Sequence, residues 1–256
     1  MAKAIFITGG GSGIGRVVAQ FFAARGWRIG IADRNPEGLA ETAASLPHGA
    51  ETYAFDVTDS PAWDDALARF ATGGTIDVVF NNAGIAAGGS FAQIDAVTIE
   101  RVVAVNLTGV LFGARAAHAH LKASGGCLLN MASAAGIYGT AGAALYSATK
   151  FGVRGLTEAL DAEWAADGIR VAALMPGFID TPLLGGTLTG TNHSIREQVV
   201  AGGLEFTPLP VVAQAAWDAV HGRDVLVPVG PTARRMRFAA RWLPGRLRAQ
   251  MRARVR

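Results

Sequence analysis

The chain has 256 residues, half of them hydrophobic and 17% charged, which suits one large α/β domain and excludes a largely disordered chain. Its net charge of +3 averages two unlike parts, since nine arginines and no acid lie from Ala233 onward, leaving 14 basic against 20 acidic side chains before it. The body is therefore mildly acidic, which argues against a general nucleic-acid binder with its positive charge on the folded surface.

Short β-rich runs at Ala4–Thr8, Arg28–Ala32, Glu51–Phe55, Ile76–Phe80, Gly126–Met131, Ile169–Leu174 and Asp224–Val227 alternate with amphipathic stretches. These stretches, near Ile14–Arg25, Pro36–Leu46, Pro61–Phe70, Thr98–Lys122 and Leu145–Ala166, predict helices on both faces of a parallel sheet. Unbroken apolar runs such as Val78-Val79-Phe80 fit strands covered on both sides. The segment Pro176–Phe206, rich in Gly and Thr, predicts a lid with one short helix at Ser194–Ala201. A helix over Pro210–His221, ended by Gly222, precedes the last strand, and no strand character follows Pro231. Residues 1–232 thus form the expected domain, with a lid at about 177–209 and a basic extension at 233–256. Cys127, the sole cysteine, reads as a buried strand residue and rules out an internal disulfide. The first strand begins almost at once and no apolar run approaches a membrane span, so a cytoplasmic protein is expected.

Ligands of such sheets bind beyond the carboxyl ends of the strands. There the sequence places Thr8-Gly9-Gly10-Gly11-Ser12-Gly13-Ile14-Gly15, between the first strand and the first helix. Glycines let backbone amides approach a pyrophosphate, which the helix N-terminus stabilises. The spacing is Gly9-x-x-x-Gly13-x-Gly15 and does not match G-x-G-x-x-G. Asp33 ends the second strand; its carboxylate can hold the adenosine ribose hydroxyls and repel a 2′-phosphate, favouring NAD over NADP. It could instead cap the turn before Asn35-Pro36, and Arg34 could pair with a phosphate. Asp56-Val57 follows the third strand, where it could hold an adenine, and Asn81-Asn82-Ala83-Gly84 follows the fourth, where small residues let the backbone pass under a cofactor.

Tyr146 and Lys150 are four apart at the start of a predicted helix and share a face. An ammonium there stabilises phenolate and draws the Tyr146 pKa toward working pH. Ser133 follows the fifth strand, where its hydroxyl can hold a carbonyl or alcohol oxygen, and Asn106 lies inside the long preceding helix, which has no need of an amide.

With these residues in this order, over roughly residues 4–182, the chain resembles the short-chain dehydrogenase/reductase family. The matching segments are Thr8–Gly15, Asp33, Asp56-Val57, Asn81–Gly84, Asn106, Ser133, Tyr146-x-x-x-Lys150 and Pro176-Gly177. The resemblance implies a Rossmann-type, doubly wound sheet of about seven parallel strands. It implies Tyr146 as general acid/base, Ser133 orienting the substrate oxygen, Lys150 on the nicotinamide ribose, and Asn106 supporting a water relay to Lys150. It implies a cofactor contacted by Gly9, Gly11, Ser12, Gly13, Ile14, Gly15, Asp33, Arg34, Asp56, Val57, Asn82, Ala83, Gly84, Pro176, Gly177, Ile179 and Thr181. It also implies a homodimer or homotetramer assembled through the helices at Thr98–Lys122 and Leu145–Ala166.

A substrate pocket is expected between Ile85–Ser90, Ala134–Tyr138 and Phe178–Phe206, with Ile85, Ser133, Ala134, Tyr138, Tyr146, Phe178, Leu183 and Leu184 on its walls. So few charges suit an apolar or aromatic secondary alcohol or ketone, steroid-, retinoid-, aryl- or acyl-like. The competing reading is a catalytically silent NAD-binding sensor or scaffold. His118 and His120 point to different faces of a helix, so no metal site is expected. Leu247, Met251 and Val255 repeat every four residues beside Arg248, Arg252 and Arg256. That pattern leaves open a membrane-surface helix, packing over the pocket or a neighbouring subunit, and a solvated end.

Overall fold

Every residue of β1 (Ala4–Thr8) is buried, and the strand pairs in parallel with β2 (Arg28–Asp33) on one side and β4 (Val78–Asn81) on the other. The protein is described by a computed structural model over residues 2–186, 189 and 193–253. With β3 (Glu51–Ala54), β5 (Cys127–Met131), β6 (Arg170–Pro176) and β7 (Leu226–Val229), the strands form one parallel sheet ordered β3-β2-β1-β4-β5-β6-β7. All seven expected strands are present, with no end moved by more than two residues.

Successive side chains of a strand point to opposite faces, so Ile5 and Ile7 enter one core while Phe6 enters the other. The first core packs α1 (Gly13–Ala23) and α8 (Leu209–His221) on the sheet. Phe22, Trp27 and Trp217 meet there, with Phe22 and Trp27 edge to face at 5.0 Å. On the opposite face, α3 (Ser60–Ala71) and the long helix that follows bury Trp63, Phe70 and Leu121 against Phe6. The Trp63 indole donates to the Val57 carbonyl at 3.0 Å, tying this core to the loop after β3. Pro36 opens α2 (Pro36–Ala44), with the Asn35 side chain accepting from the Glu37 and Gly38 amides.

The stretch expected as one helix over Thr98–Lys122 is three pieces. They are α4 (Ala96–Val103), a π-helical turn over Ala104–Thr108, and α5 (Gly109–Ser124), which ends at Gly125 in the left-handed conformation with φ 60°. No apolar run as long as a membrane span is expected, yet one helical stretch reaches that length on average hydropathy. Ala96–Ser124 has an 18-residue window of mean hydropathy 1.4, long and apolar enough by length and composition to cross a bilayer. Polar residues interrupt this stretch, so it is apolar on average without holding an unbroken apolar run. Val110, Ala114, Ala117 and Leu121 spend part of that apolarity in the core.

α6 (Ala144–Glu163) packs on β6 beside the long helix, and α7 (Ile195–Ala201) carries the capping box of Ser194 and Glu197. Residues 187, 188 and 190–192 of the expected lid lie outside the described residues. The basic extension forms α9 (Gly230–Trp242) and α10 (Pro244–Ala253), separated where Trp242-Leu243-Pro244-Gly245 predicts a break. Ala233 of α9 is fully buried among Ala134, Ile137 and Met175, and Leu247 and Met251 of α10 are buried as well. Val255 and Arg256, the end of the four-residue repeat, lie outside the described residues.

Trp63→Ala would leave a large cavity and free the Val57 carbonyl. It should cost about 3–5 kcal/mol, read as a lower urea midpoint with an unchanged slope.

Candidate active site

The loop between β1 and α1 is held open by conformations that favour glycine. Gly9 and Gly13 have φ of 65° and 50°, and a Cβ on Gly15 would lie 2.2 Å from the Gly9 carbonyl. Ser12 takes the N-cap position of α1, yet its side chain accepts no capping hydrogen bond. The first-turn amides are thus uncapped by this chain, at the end of a helix whose dipole favours an anion. The Asp33 carboxylate accepts from the Gly11 amide at 3.0 Å and the Asn35 amide at 3.1 Å. It therefore closes the loop and braces the turn together, while capping of α2 falls to Asn35. Thr8 and Asn82 clamp β1 to β4: the Asn82 amide group donates to the Thr8 carbonyl at 2.8 Å, and the Asn82 and Ala83 backbone amides donate to the Thr8 hydroxyl. The open glycine cradle, uncapped helix end and adjacent carboxylate fit a dinucleotide.

Ser133, Tyr146 and Lys150 meet at the ends of β5 and α6. The Ser133 hydroxyl oxygen accepts from the Ala135 amide at 3.1 Å, fixing the turn that follows β5. Lys150 is buried, donates to the Met131 carbonyl at 2.7 Å, and has Nζ 5.5 Å from the Tyr146 ring centre. The expected fall of the Tyr146 pKa does not occur in the protein alone. Burial pushes the phenol up to about 12 despite a hydrogen bond from Ser133, and burial lowers Lys150 to about 8. Each group loses more solvation than the other returns across that separation.

Asn106 sits inside the π-helical turn, fully buried. Its amide accepts from the Ile85 N–H and donates to the Ile85 carbonyl, both at 2.8 Å. This clamp holds the loop after β4, where a Cβ on Gly84 would stand 3.3 Å from the Asn106 oxygen and 3.9 Å from Lys150 Nζ.

A cavity of about 960 Å³ runs along this edge. Its walls include Gly9, Ser12, Gly13, Ile14, Asp33, Arg34, Asp56, Val57, Asn82, Ala83 and Gly84 toward the glycine loop. Pro176, Gly177, Ile179 and Thr181 also line it, the Thr181 methyl close enough that a Cβ on Gly13 would sit 3.3 Å away. Asp56 faces the cavity while its carboxylate accepts from the Thr58 amide and hydroxyl at 2.9 and 2.8 Å. Gly11 and Gly15 stand behind the wall and shape the loop. At the other end lie Ile85, Ser133, Ala134, Tyr146, Phe178, Leu183 and Leu184, as expected.

Tyr138 is not on that wall. The short helix over Ala134–Gly136 carries the chain past the cavity before residue 138, and the wall resumes at Thr140, Ala141, Gly142 and Ala143. Those four carry no polar pattern that sequence reading could single out, although they lie just before the Tyr146 helix. Thr232 and Met236 of α9 complete the wall, so the first half of the basic extension packs over the pocket. His193 faces Glu197 at 3.7 Å and is absent from the wall.

What this edge can do is move a proton beside a bound dinucleotide, the work of a nucleotide-dependent oxidoreductase. The sequence pattern of the family described as short chain dehydrogenase matches residues 3–191. Meso-2,3-butanediol dehydrogenase from Serratia marcescens is 34% identical over 239 residues, covering 90% of this chain and 95% of that protein. The crystal structure of a short-chain dehydrogenase from Streptomyces avermitilis superimposes with a TM-score of 0.85 at 27% identity, covering 99% of this chain and 96% of that one. A 3-ketoacyl-(acyl-carrier-protein) reductase from Brucella melitensis, complexed with NADH, gives a TM-score of 0.80 at 30% identity over 90% of this chain and 98% of that one. The chain belongs to the short-chain dehydrogenase family, and its sheet is of the Rossmann type. It is an oxidoreductase of the alcohol/ketone class.

Lys150 titrates near 8 when folded against an ordinary 10.5, so between those values the unfolded chain binds more protons. Its contribution to stability therefore rises with pH through that window. Tyr146, raised from 10 to about 12, acts in the opposite direction and only above pH 10. Urea unfolding at about pH 7.5 and 9.5 should show the wild type gaining about 2 kcal/mol relative to Lys150→Met. A pH-independent difference between the two would contradict the burial assigned to Lys150.

Proposed function

We propose that this protein transfers a hydride between NAD(H) and an apolar or aromatic secondary alcohol or its ketone. The observation that carries the reading is the convergence of Ser133, Tyr146 and buried Lys150 at one end of a cavity whose other end is the glycine cradle. The bound dinucleotide supplies the hydride acceptor or donor. Ser133 donates to the substrate oxygen and fixes its position beside Tyr146. In oxidation the Tyr146 phenolate takes the alcohol proton as the hydride leaves, and in reduction the Tyr146 hydroxyl gives its proton to the carbonyl oxygen. Because burial disfavours the phenolate, positive charge from Lys150 is needed on that side of the ring, and the Met131 carbonyl holds the ammonium there. Asn106 holds the floor through Ile85 and thereby the approach to Lys150.

NAD rather than NADP is supported by the Asp33 carboxylate, which faces the cavity beside the Gly11 amide and would repel a 2′-phosphate. The NADH in the Brucella melitensis relative accords with that choice. Substrate class is supported by Phe178, Leu183, Leu184, Val199, Leu204 and Met236 on the wall, since such surface rewards burial of hydrocarbon. The Serratia marcescens relative acts, by its name, on a secondary diol. A homodimer or homotetramer is proposed through the long helices, where Val97, Leu111 and Phe151 stand exposed on α4, α5 and α6.

Tyr146→Phe should retain NADH binding by fluorescence titration and lose turnover by about 10²- to 10⁴-fold on apolar secondary alcohols. Near-normal turnover would sink the assignment. Asp33→Ser should shift the NAD/NADP ratio of kcat/KM toward NADP by about tenfold or more, and an unchanged ratio would remove Asp33 from cofactor choice.

A further inference from the structure

Helix α9 has two unlike faces. Its inner face buries Ala233 beside Met236 and Ala240, with Thr232 and Met236 on the cavity wall. The outer face carries Phe238 and Trp242, exposed by 59% and 63%, one helical turn apart. At 3.6 residues per turn, Arg234 and Arg241 flank this aromatic strip on one side and Arg235 on the other. Leu243, just past the end of α9, is 38% exposed, and on α10 Arg246, Arg248 and Arg252 are exposed.

Among the described residues, no ion pair involves an arginine of α9 or α10. Arg237 donates to the Leu226 carbonyl, and Arg241 lies 5.3 Å from the Trp242 ring. Some acidic groups of the body are by contrast paired at home, Glu41 with Arg16, Glu51 with Arg28, Asp64 with Arg115 and Asp167 with Lys122. An occupant of this face must therefore bring dense negative charge and an apolar layer beneath it. Both belong to an anionic bilayer, where aromatic rings settle at headgroup depth and arginines meet phosphates.

We propose that the outer face of α9, with the arginines of α10, docks on an anionic lipid bilayer. Phe238 and Trp242 enter the headgroup layer, and the inner face of the same helix sets the cavity wall beside the membrane. This docking stands apart from the redox reading and is measured without turnover.

The experiment is sedimentation of the full chain with vesicles of phosphatidylcholine alone or mixed with phosphatidylglycerol. The wild type should co-sediment with the mixed vesicles, remain in solution with phosphatidylcholine alone, and be released as salt rises. Arg234→Gln, Arg235→Gln and Arg241→Gln together should lower partition by roughly fivefold per arginine. A Phe238→Ser/Trp242→Ser double variant should bind more weakly and be released at lower salt than the wild type. All five positions are exposed, so thermal midpoints should stay at the wild-type value, confirming intact folding. Failure to sediment with anionic vesicles overturns the proposal, as does equal binding by the triple glutamine variant. It is also overturned if the double variant instead lowers the molar mass in light scattering without any vesicle effect, since a second copy of the chain would then cover this face.

Discussion

Parallel pairing obliges every strand to end at the same edge of the sheet, and the rest of this molecule is arranged around that constraint. Because β1 lies between β2 and β4, the connections leaving β1 and β4 depart to opposite faces, and a crevice opens between them. The Thr8–Asn82 clamp fixes the two walls of that crevice to each other. The sheet thereby brings residues 9, 33, 82, 133 and 176 together without any of the intervening segments being near one another in the chain.

Within the crevice, desolvation is the dominant force on the reactive groups. A solvated lysine and tyrosine would sit near their ordinary values. Buried together, each is pushed toward neutrality, and the Met131 carbonyl and the Ser133 hydroxyl become the levers that restore charge separation. The energetic cost of keeping Lys150 and Asn106 out of water is offset by a core built on Trp63, Phe70 and their neighbours across the sheet. Stability and catalysis therefore draw on the same packing.

The strands were legible because each is a short apolar run bounded by turn residues, and the glycine loop because nothing but a close backbone approach needs so many glycines between a strand and a helix. The end of α8 was legible at Gly222, whereas the caps at Asn35, Ser194 and Gly125 emerge only in the structure. Asn106 was visible as an amide out of place in a helix, but the π-helical turn around it was not, since one residue of extra winding leaves no compositional mark. Tyr138 was misplaced because proximity in sequence to Ser133 does not fix where a short helix directs the chain. Met236 was visible only as part of an odd basic extension. The Tyr146 pKa depended on burial of both partners, which spacing alone does not report.

The wide turn over Ala104–Thr108 also acts as a phase shifter between the two halves of a long helix. In a regular helix each residue advances the side-chain direction by about 100°, and the π-helical turn absorbs one residue without that advance. The buried row consequently steps by fours, from Val102 through Asn106 to Val110, and both halves still face the sheet. A single-residue deletion there would restore ideal winding while rotating Ala114, Ala117 and Leu121 off their seats. In an insertion–deletion scan, this segment would behave as a fixed-length spacer, intolerant in a way that neither its mild composition nor its distance from Tyr146 in sequence would reveal.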